Sequence, residues 1–306
     1  MDNYKTTAKI LIAVNIILIT ATAILLVGYS LKKSKETTSS PAPTAQVTAQ
    51  PTPSVTQQPT PIPTSQAKKA TIRQFLKNAA KPIGSTMYVY GGGWNKEDTG
   101  AGEYARTLGV PQEWKDFAVL QDSTYDSSKH KYEITKGLDC SGYVGWALYN
   151  TLETENGKPG YVFLAQSYAD ILSAMNLGEK TAKQDVGSYK PGDILSSAED
   201  EHVWIAIGEC SDHSVLLFNC TPPGVSLYGT ATPDGEKNSM AVRLAKKYMR
   251  EHFPQWYGKY TNYARGTSYL TNYDRFRWDM KSSGVMSDPD GYYNLTPEQI
   301  LDDIFN

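Results

Sequence analysis

Cysteine and histidine are scarce in this 306-residue chain, with three of the former and four of the latter. Cys140, Cys210 and Cys220 are too few and too odd in number for a disulfide framework, so at least one thiol is free. No CxxC pair and no Cys/His spacing of a zinc site is present. A strong excess of charge is missing as well: 30 Lys and Arg stand against 32 Asp and Glu, for a net charge of −2. The first 35 residues hold +4, from five lysines against Asp2, so the chain beyond Ala67 is mildly acidic at −5 once Glu36 is counted. Both signs are interspersed there. That argues against a nucleic-acid partner, which needs a basic face or stripe.

What is present first is an uncharged run. Ile10 to Leu31 holds 22 residues without a charge; as a helix rising about 1.5 Å per residue it would span roughly 33 Å, enough to cross a bilayer. A cleavable signal peptide is the competing reading, because Thr20 to Ala23 are small, but apolar Ile24 to Val27 follow where a mature chain should turn polar. The uncleaved anchor is therefore expected. Lysines flank both ends, so the positive-inside rule leaves orientation open. Residues 36–67 consist almost wholly of Thr, Pro, Ser, Gln and Ala, with seven prolines and a threonine at every fourth position from Thr44 to Thr64. No core can form from this. Proline fixes φ and withholds a donor, so a polyproline-like spacer of at most about 100 Å is expected, of the kind that holds a domain off the outer side of a membrane.

From Lys68 the pattern becomes globular. Ile72, Phe75, Leu76 and Ala79 share one helical face, and Lys81 to Gly84 end that helix. Tyr88 to Gly93 reads as a short strand into a glycine turn, and 94–137 as a polar, irregular but ordered insertion anchored by Trp94, Tyr104, Trp114, Phe117, Tyr125 and Tyr132. Helices are expected from Cys140 to Leu152 and from Val162 to Met175. Strands are expected at Asp193–Leu195, Val203–Ile207, Val215–Phe218 and Val225–Tyr228. Beyond 230 come a helix near Met240 to Arg250, an aromatic stretch, and a last helix opened by Thr296, Pro297 and Gln299 as a capping box. The fold class is α+β, helices first and an antiparallel sheet after.

The chemistry starts from Cys140, whose 3.6-residue spacing with Tyr143, Val144, Ala147 and Leu148 puts it at a helix start. A helix N-terminus stabilises a thiolate, yet a packed core cysteine is an equal reading of that position. A nucleophile also needs a base and a group that orients the base. His202 opens a strand after the acidic Glu199, Asp200 and Glu201, and Asn219 ends the next strand. The two share a face if Ser211 and Asp212 form a two-residue hairpin loop; one residue more or less would put them on opposite faces.

In order along the chain, Tyr88-Val-Tyr-Gly-Gly, Gly137-Leu-Asp-Cys-Ser-Gly, Pro191-Gly-Asp-Ile-Leu, Glu201-His-Val-Trp-Ile-Ala-Ile-Gly and Asn219-Cys-Thr-Pro-Pro-Gly-Val resemble the motifs of the NlpC/P60 family of papain-like cysteine peptidases. The resemblance spans about Ile72 to Tyr228. It implies a helix-borne cysteine packed on a sheet that supplies the histidine, and cleavage of peptide bonds in bacterial cell-wall stem peptides, commonly next to γ-D-glutamate. It makes Cys140 the nucleophile, attacking as a thiolate, His202 the general base and acid, and Asn219 the orienting group. Tyr88 matches the tyrosine that lines the substrate site, and Asp139 and Ser141 match positions that help bind the substrate's free amine. No metal or other cofactor is implied. The partners expected are a peptidoglycan stem peptide and, through the N-terminal helix, a bacterial membrane, with the body on the extracytoplasmic side.

The resulting domain plan is a membrane anchor at 1–35, a linker at 36–67 and a catalytic domain at 68–306, with the insertion at about 94–137 and a C-terminal extension at about 230–306. Three features depart from the family pattern: Asn219 stands where histidine is common, more than 40 residues separate the first two motifs, and the extension lies outside all motifs. Rival readings are an N-acetylmuramoyl-L-alanine amidase or acyltransferase using the same thioester, and a non-catalytic wall-binding module. Elsewhere, Cys210 and Cys220 are expected as buried free thiols, His213 in a turn, and His130 and His252 at the surface. Asp288-Pro-Asp-Gly is expected to form a turn and not a calcium loop. The aromatic residues from Trp256 to Trp278 are expected to pack the extension onto the core.

Overall fold

The computed structural model describes residues 69–281 and 283–306. The expected membrane segment at 10–31 and the stalk at 36–67 lie outside the described residues. No helix among the described residues is long and apolar enough to cross a membrane.

Eleven strands occur there: β1 Ala70–Thr71, β2 Met87–Tyr88, β3 Gly137–Leu138, β4 Gly178–Thr181, β5 Ile194–Ser197, β6 His202–Glu209, β7 Val215–Thr221, β8 Gly224–Thr230, β9 Ala264–Arg265, β10 Asp274–Trp278 and β11 Met286–Ser287. β1 pairs with β11, and the other nine form one sheet in the order β3-β2-β8-β7-β6-β5-β10-β4, with β9 beside β8. The sheet is antiparallel except where β2 meets β3 and β8 meets β9. The expected mixture of helices with an antiparallel sheet is thus what the chain forms.

The near-continuous hydrophobic runs of β6 to β8 follow from burial on both faces. On one face Val203, Ile205, Ile207, Leu216 and Phe218 join the main core with the helices Ile72–Ala80 and Cys140–Leu152. On the other, Trp204, Ala206, Val215, Leu217 and Tyr228 form a smaller core closed by Tyr273, Tyr269 and Leu270. The Cys140–Leu152 helix is buried on all sides down to Thr151. Gly142 makes its entry possible, since a Cβ there would collide with the Gly92 carbonyl.

Several expected elements hold. Thr71 caps the first helix by accepting from Gln74 N–H. The last helix, Pro297–Phe305, has the capping box of Thr296 and Gln299. Asp288 accepts from the N–H groups of Tyr292 and Tyr293, the work of a turn. Cys210 and Cys220 are buried and free, and Trp256, Tyr263, Tyr273, Phe276 and Trp278 are buried.

Others are corrected. The helix expected from Val162 runs only from Tyr168 to Ala174, after a 3₁₀ turn at Ala165–Ser167, because Val162 is drawn into a separate cluster with Trp94 and Ala105. The insertion contains a helix, Gln112–Val119, that buries Trp114 and Phe117, whereas Tyr132 is 64% exposed and meets Tyr90 edge-on at 5.4 Å without entering the core. His130 is no plain surface residue: its ring stacks on Tyr125. The C-terminal region is no appendage either. β10 lies inside the sheet between β5 and β4, held by a bidentate Arg277 guanidinium that donates to the fully buried Asp193 carboxylate at 2.8 and 2.6 Å.

Candidate active site

Asp139 leaves β3 and caps the Cys140–Leu152 helix. Its Oδ1 accepts from Gly142 N–H at 2.6 Å and from the Ser141 hydroxyl at 2.7 Å, and its Oδ2 accepts from Gly91 N–H at 3.2 Å. Trp94 Nε1 in turn donates to Ser141 Oγ at 2.9 Å. Asp139 and Ser141 therefore tie the helix start to the glycine turn after Tyr88, and the Ser141 hydroxyl has no hydrogen left to give. Trp94, unmarked by any sequence spacing, belongs to this network.

Cys140 is the first residue of the helix, and its thiol lies near enough to Val203 N–H, one residue past His202, for that group to favour the thiolate. The sheet opens to make this possible. The ladder between β6 and β7 runs only as far as Ile205↔Phe218, although β6 remains paired with β5 down to His202. Ala206 N–H donates to Asp193 on the β5 side at 2.8 Å, so by alternation Val203 N–H points to the β7 side, into the gap. The N–H that acts on the Cys140 thiol is thus one that faces this gap.

His202 and Asn219 meet on the Trp204 face of the sheet, where His202 Nε2 donates to Asn219 Oδ1 at 2.8 Å. An amide oxygen only accepts, so the hydrogen is on Nε2 and the lone pair on Nδ1. The hairpin that brings them together is not the expected one. Its loop is the three residues Ser211, Asp212 and His213, closed by Cys210 N–H to Ser214 O, with His213 in the left-handed region at φ 60°. Continued from Glu209↔Val215 without interruption, that loop would put Asn219 on the wrong face. A β-bulge between Ala206 and Gly208 restores the register, so Ile205 meets Phe218 and Asn219 falls on the His202 side.

Residues of the C-terminal region complete the site. Asn219 Nδ2 donates to the Tyr269 hydroxyl at 3.3 Å. The rings of Tyr269 and Tyr273 lie 5.9 and 6.4 Å from the imidazole, and both tyrosines are close enough to sense a charge on Cys140. The Arg265 guanidinium lies 3.7 Å over the Tyr228 ring and adds its charge to the surroundings of His202. Nothing in the spacing of the aromatic stretch separates Tyr269 from its neighbours, which is why sequence reasoning passes over it.

Burial governs the charges. It pushes the Cys140 thiol up to about 12, assisted by the Asp139 carboxylate, while the N–H groups of Val203 and Ser141 pull the other way. It lowers His202 to about 4, with the Asn219 hydrogen bond opposing and Arg265 adding to the shift. Asp139 is raised to about 6 by burial against the donors it accepts from, and Tyr88 is raised by burial and by Cys140. A resting thiolate is thus not favoured: desolvation outweighs the helix terminus at Cys140, and the same burial disfavours a charged His202 imidazole.

A cleft of about 260 Å³ opens onto Cys140 between Tyr88, Tyr90 and Tyr132 on one side and Leu164 to Gln166 on the other, with Asp98, Asp139 and Glu201 in its walls. A larger cavity of about 480 Å³ lies at the far end of β6, beside Cys210 and Arg243. The nearest histidine in sequence, His213, is 72% exposed and bonded to Glu209, so that imidazole is not held against the Cys210 thiol. The smaller cleft is therefore the candidate site. No protein-family model matches the chain, and no curated protein and no solved structure is found similar to it.

Proposed function

We propose that this protein is a cysteine peptidase of the NlpC/P60 type that hydrolyses peptide bonds in bacterial peptidoglycan stem peptides. The observation that carries the reading is a helix-start thiol that opens onto a cleft and is acted on by Val203 N–H, next in sequence to His202, whose Nε2 is held by Asn219. A neutral pair reacts by moving one proton. As Cys140 Sγ attacks the scissile carbonyl carbon, its proton passes to His202 Nδ1, and the carbonyl oxygen takes up the negative charge. The N–H groups of Cys140 and Ser141, which already point toward the sulfur, are donors beside that developing charge. Collapse expels the amine with the His202 proton and leaves a thioester. Water, losing a proton to His202, then releases the acid and returns the thiol.

The acidic walls of the cleft suit a substrate that presents an amine. Asp139 Oδ2 accepts from Gly91 at 3.2 Å, and a carboxylate oxygen can accept a second hydrogen bond from such a group. The preference for a bond next to γ-D-glutamate rests on the motif resemblance alone. The anchor and stalk, read from sequence alone, would hold the body outside the cytoplasm, where protease added to intact protoplasts would reach it. The deciding experiment digests purified peptidoglycan with the full chain and with Cys140→Ala, and weighs the fragments. The parent should release peptides with new amino termini and the variant none. Fragments cut between muramic acid and alanine would indicate an amidase, and an active alanine variant would remove Cys140 from the chemistry.

A further inference from the structure

The helix Met240–His252 packs one face on the core through Ala241, Val242, Ala245, Tyr248 and Met249. Arg243, Lys247 and Arg250, spaced i, i+4 and i+7, share a second face and line the cavity of about 480 Å³ beside Cys210. Like charges at that spacing repel and weaken a helix, so the helix's own stability does not call for them. The other walls come from the end of β6 and the start of the last helix, and both of their carboxylates are engaged. Glu298 pairs with Lys247 at 2.8 Å, and Glu209 meets His213 at 2.7 Å and accepts from Tyr189 N–H at 3.2 Å. Arg243 donates to the Asn238 carbonyl, and neither it nor Arg250 forms an ion pair among the described residues. The uncommitted charge facing the cavity is therefore positive, although the chain beyond Ala67 is acidic overall.

The rest of the lining is apolar. Met240 and Leu244 are partly buried against the core, Pro297 is buried, and the Cys210 residue is 7% exposed. An apolar cavity of about 300–1,000 Å³ with a few placed polar groups is the usual form of a small-molecule site. We propose that this cavity binds a single-chain amphiphile with an anionic head, the chain lying on Met240, Leu244 and Pro297 and the head on Arg243 and Arg250. A guanidinium donates two parallel hydrogen bonds to a carboxylate or to a phosphate, and the apolar lining removes the stem of either from water. The cavity lies at the opposite end of β6 from His202 and shares no lining residue with the cleft at Cys140. Its occupation therefore does not depend on the peptidase reading.

Cys210 reports occupancy, because it lines the cavity. The full chain is treated with N-ethylmaleimide at about pH 9, where thiolate begins to form, and labelling at each cysteine is read by peptide mass. Octanoate and octyl phosphate are the probes, and the one that protects at lower concentration identifies the head as carboxylate or phosphate. Either should slow labelling of Cys210 and leave that of Cys140 unchanged. Acetate, which has the charge alone, and octanol, which has the chain alone, should not protect at the same concentration. Arg243 and Arg250 are exposed, so Arg243→Gln/Arg250→Gln should retain the parental circular dichroism, and the probe concentration for half protection should rise at least about tenfold with the charged hydrogen bonds gone. An unchanged concentration in that variant overturns the proposal, as does protection by acetate or octanol equal to that by the amphiphiles, or none by either amphiphile. A Cys210 that the reagent never reaches in the parent overturns it too, since the cavity would then be closed to any ligand.

Discussion

Cys140 shows how one residue obeys two opposed rules. Its place at a helix start favours the thiolate, yet burial and Asp139 push the thiol up to about 12. His202 moves the opposite way, to about 4. Between those values the sulfur retains its proton and the imidazole is uncharged, so the pair is not pre-ionised. Alkylation of Cys140 by iodoacetamide in the full chain, followed by peptide mass, should be slow at pH 7 and climb about tenfold per pH unit through pH 9, as for any thiol below its pKa. A rate already level from about pH 5 upward would mean an ion pair and would refute this. Asp139→Asn retains the helix cap and removes the carboxylate that raises the thiol, so it should speed alkylation at neutral pH.

At the scale of the element, the hairpin from β6 to β7 decides whether a site exists. The three-residue loop alone would turn Asn219 away from His202, and the bulge corrects it by one residue. Gly208 sits at the bulge with φ 154°, and a Cβ there would lie 3.3 Å from Pro297. A β-branched side chain fits neither the dihedral nor the space. Gly208→Val should therefore cost about 1–3 kcal/mol of stability, read from denaturant midpoints. Because the bulge sets the face of Asn219, hydrolysis by the fraction that remains folded should also fall, toward the level of Asn219→Ala. Folded Gly208→Val protein with parental kcat would show that the register does not depend on this glycine.

At the scale of the whole molecule, the region beyond 230 is structural as much as additional. β10 fills the place between β5 and β4, and the last helix is tied back to the first by Asp303 accepting from Arg73 at 2.8 Å. A chain ending at Thr230 would expose the edge of β5 and leave the Asp193 carboxylate buried beside no guanidinium, a loss of about 3–5 kcal/mol for a broken buried pair. Such a chain should show no cooperative unfolding by circular dichroism; a sharp transition would mean that the motif-bearing part folds alone. What the sequence by itself determined is local or periodic: the helix starts at Ile72, Cys140, Met240 and Pro297, the four strands from Ile194 to Thr230, the turn at Asp288, and Cys140, His202 and Asn219 as candidates by residue type and place. Caps, turns and hydrophobic period are properties of a few consecutive residues, so they can be read before folding. The short polar strand Gly178–Thr181, the insertion of β10, the corrective bulge and the acceptance of Asn219 by Tyr269 join residues up to 100 positions apart in chain number. Their energy comes from partners that meet only when the sheet closes. For the same reason the neutral charge of the Cys140 and His202 pair was decided by tertiary burial, a quantity that no stretch of sequence contains.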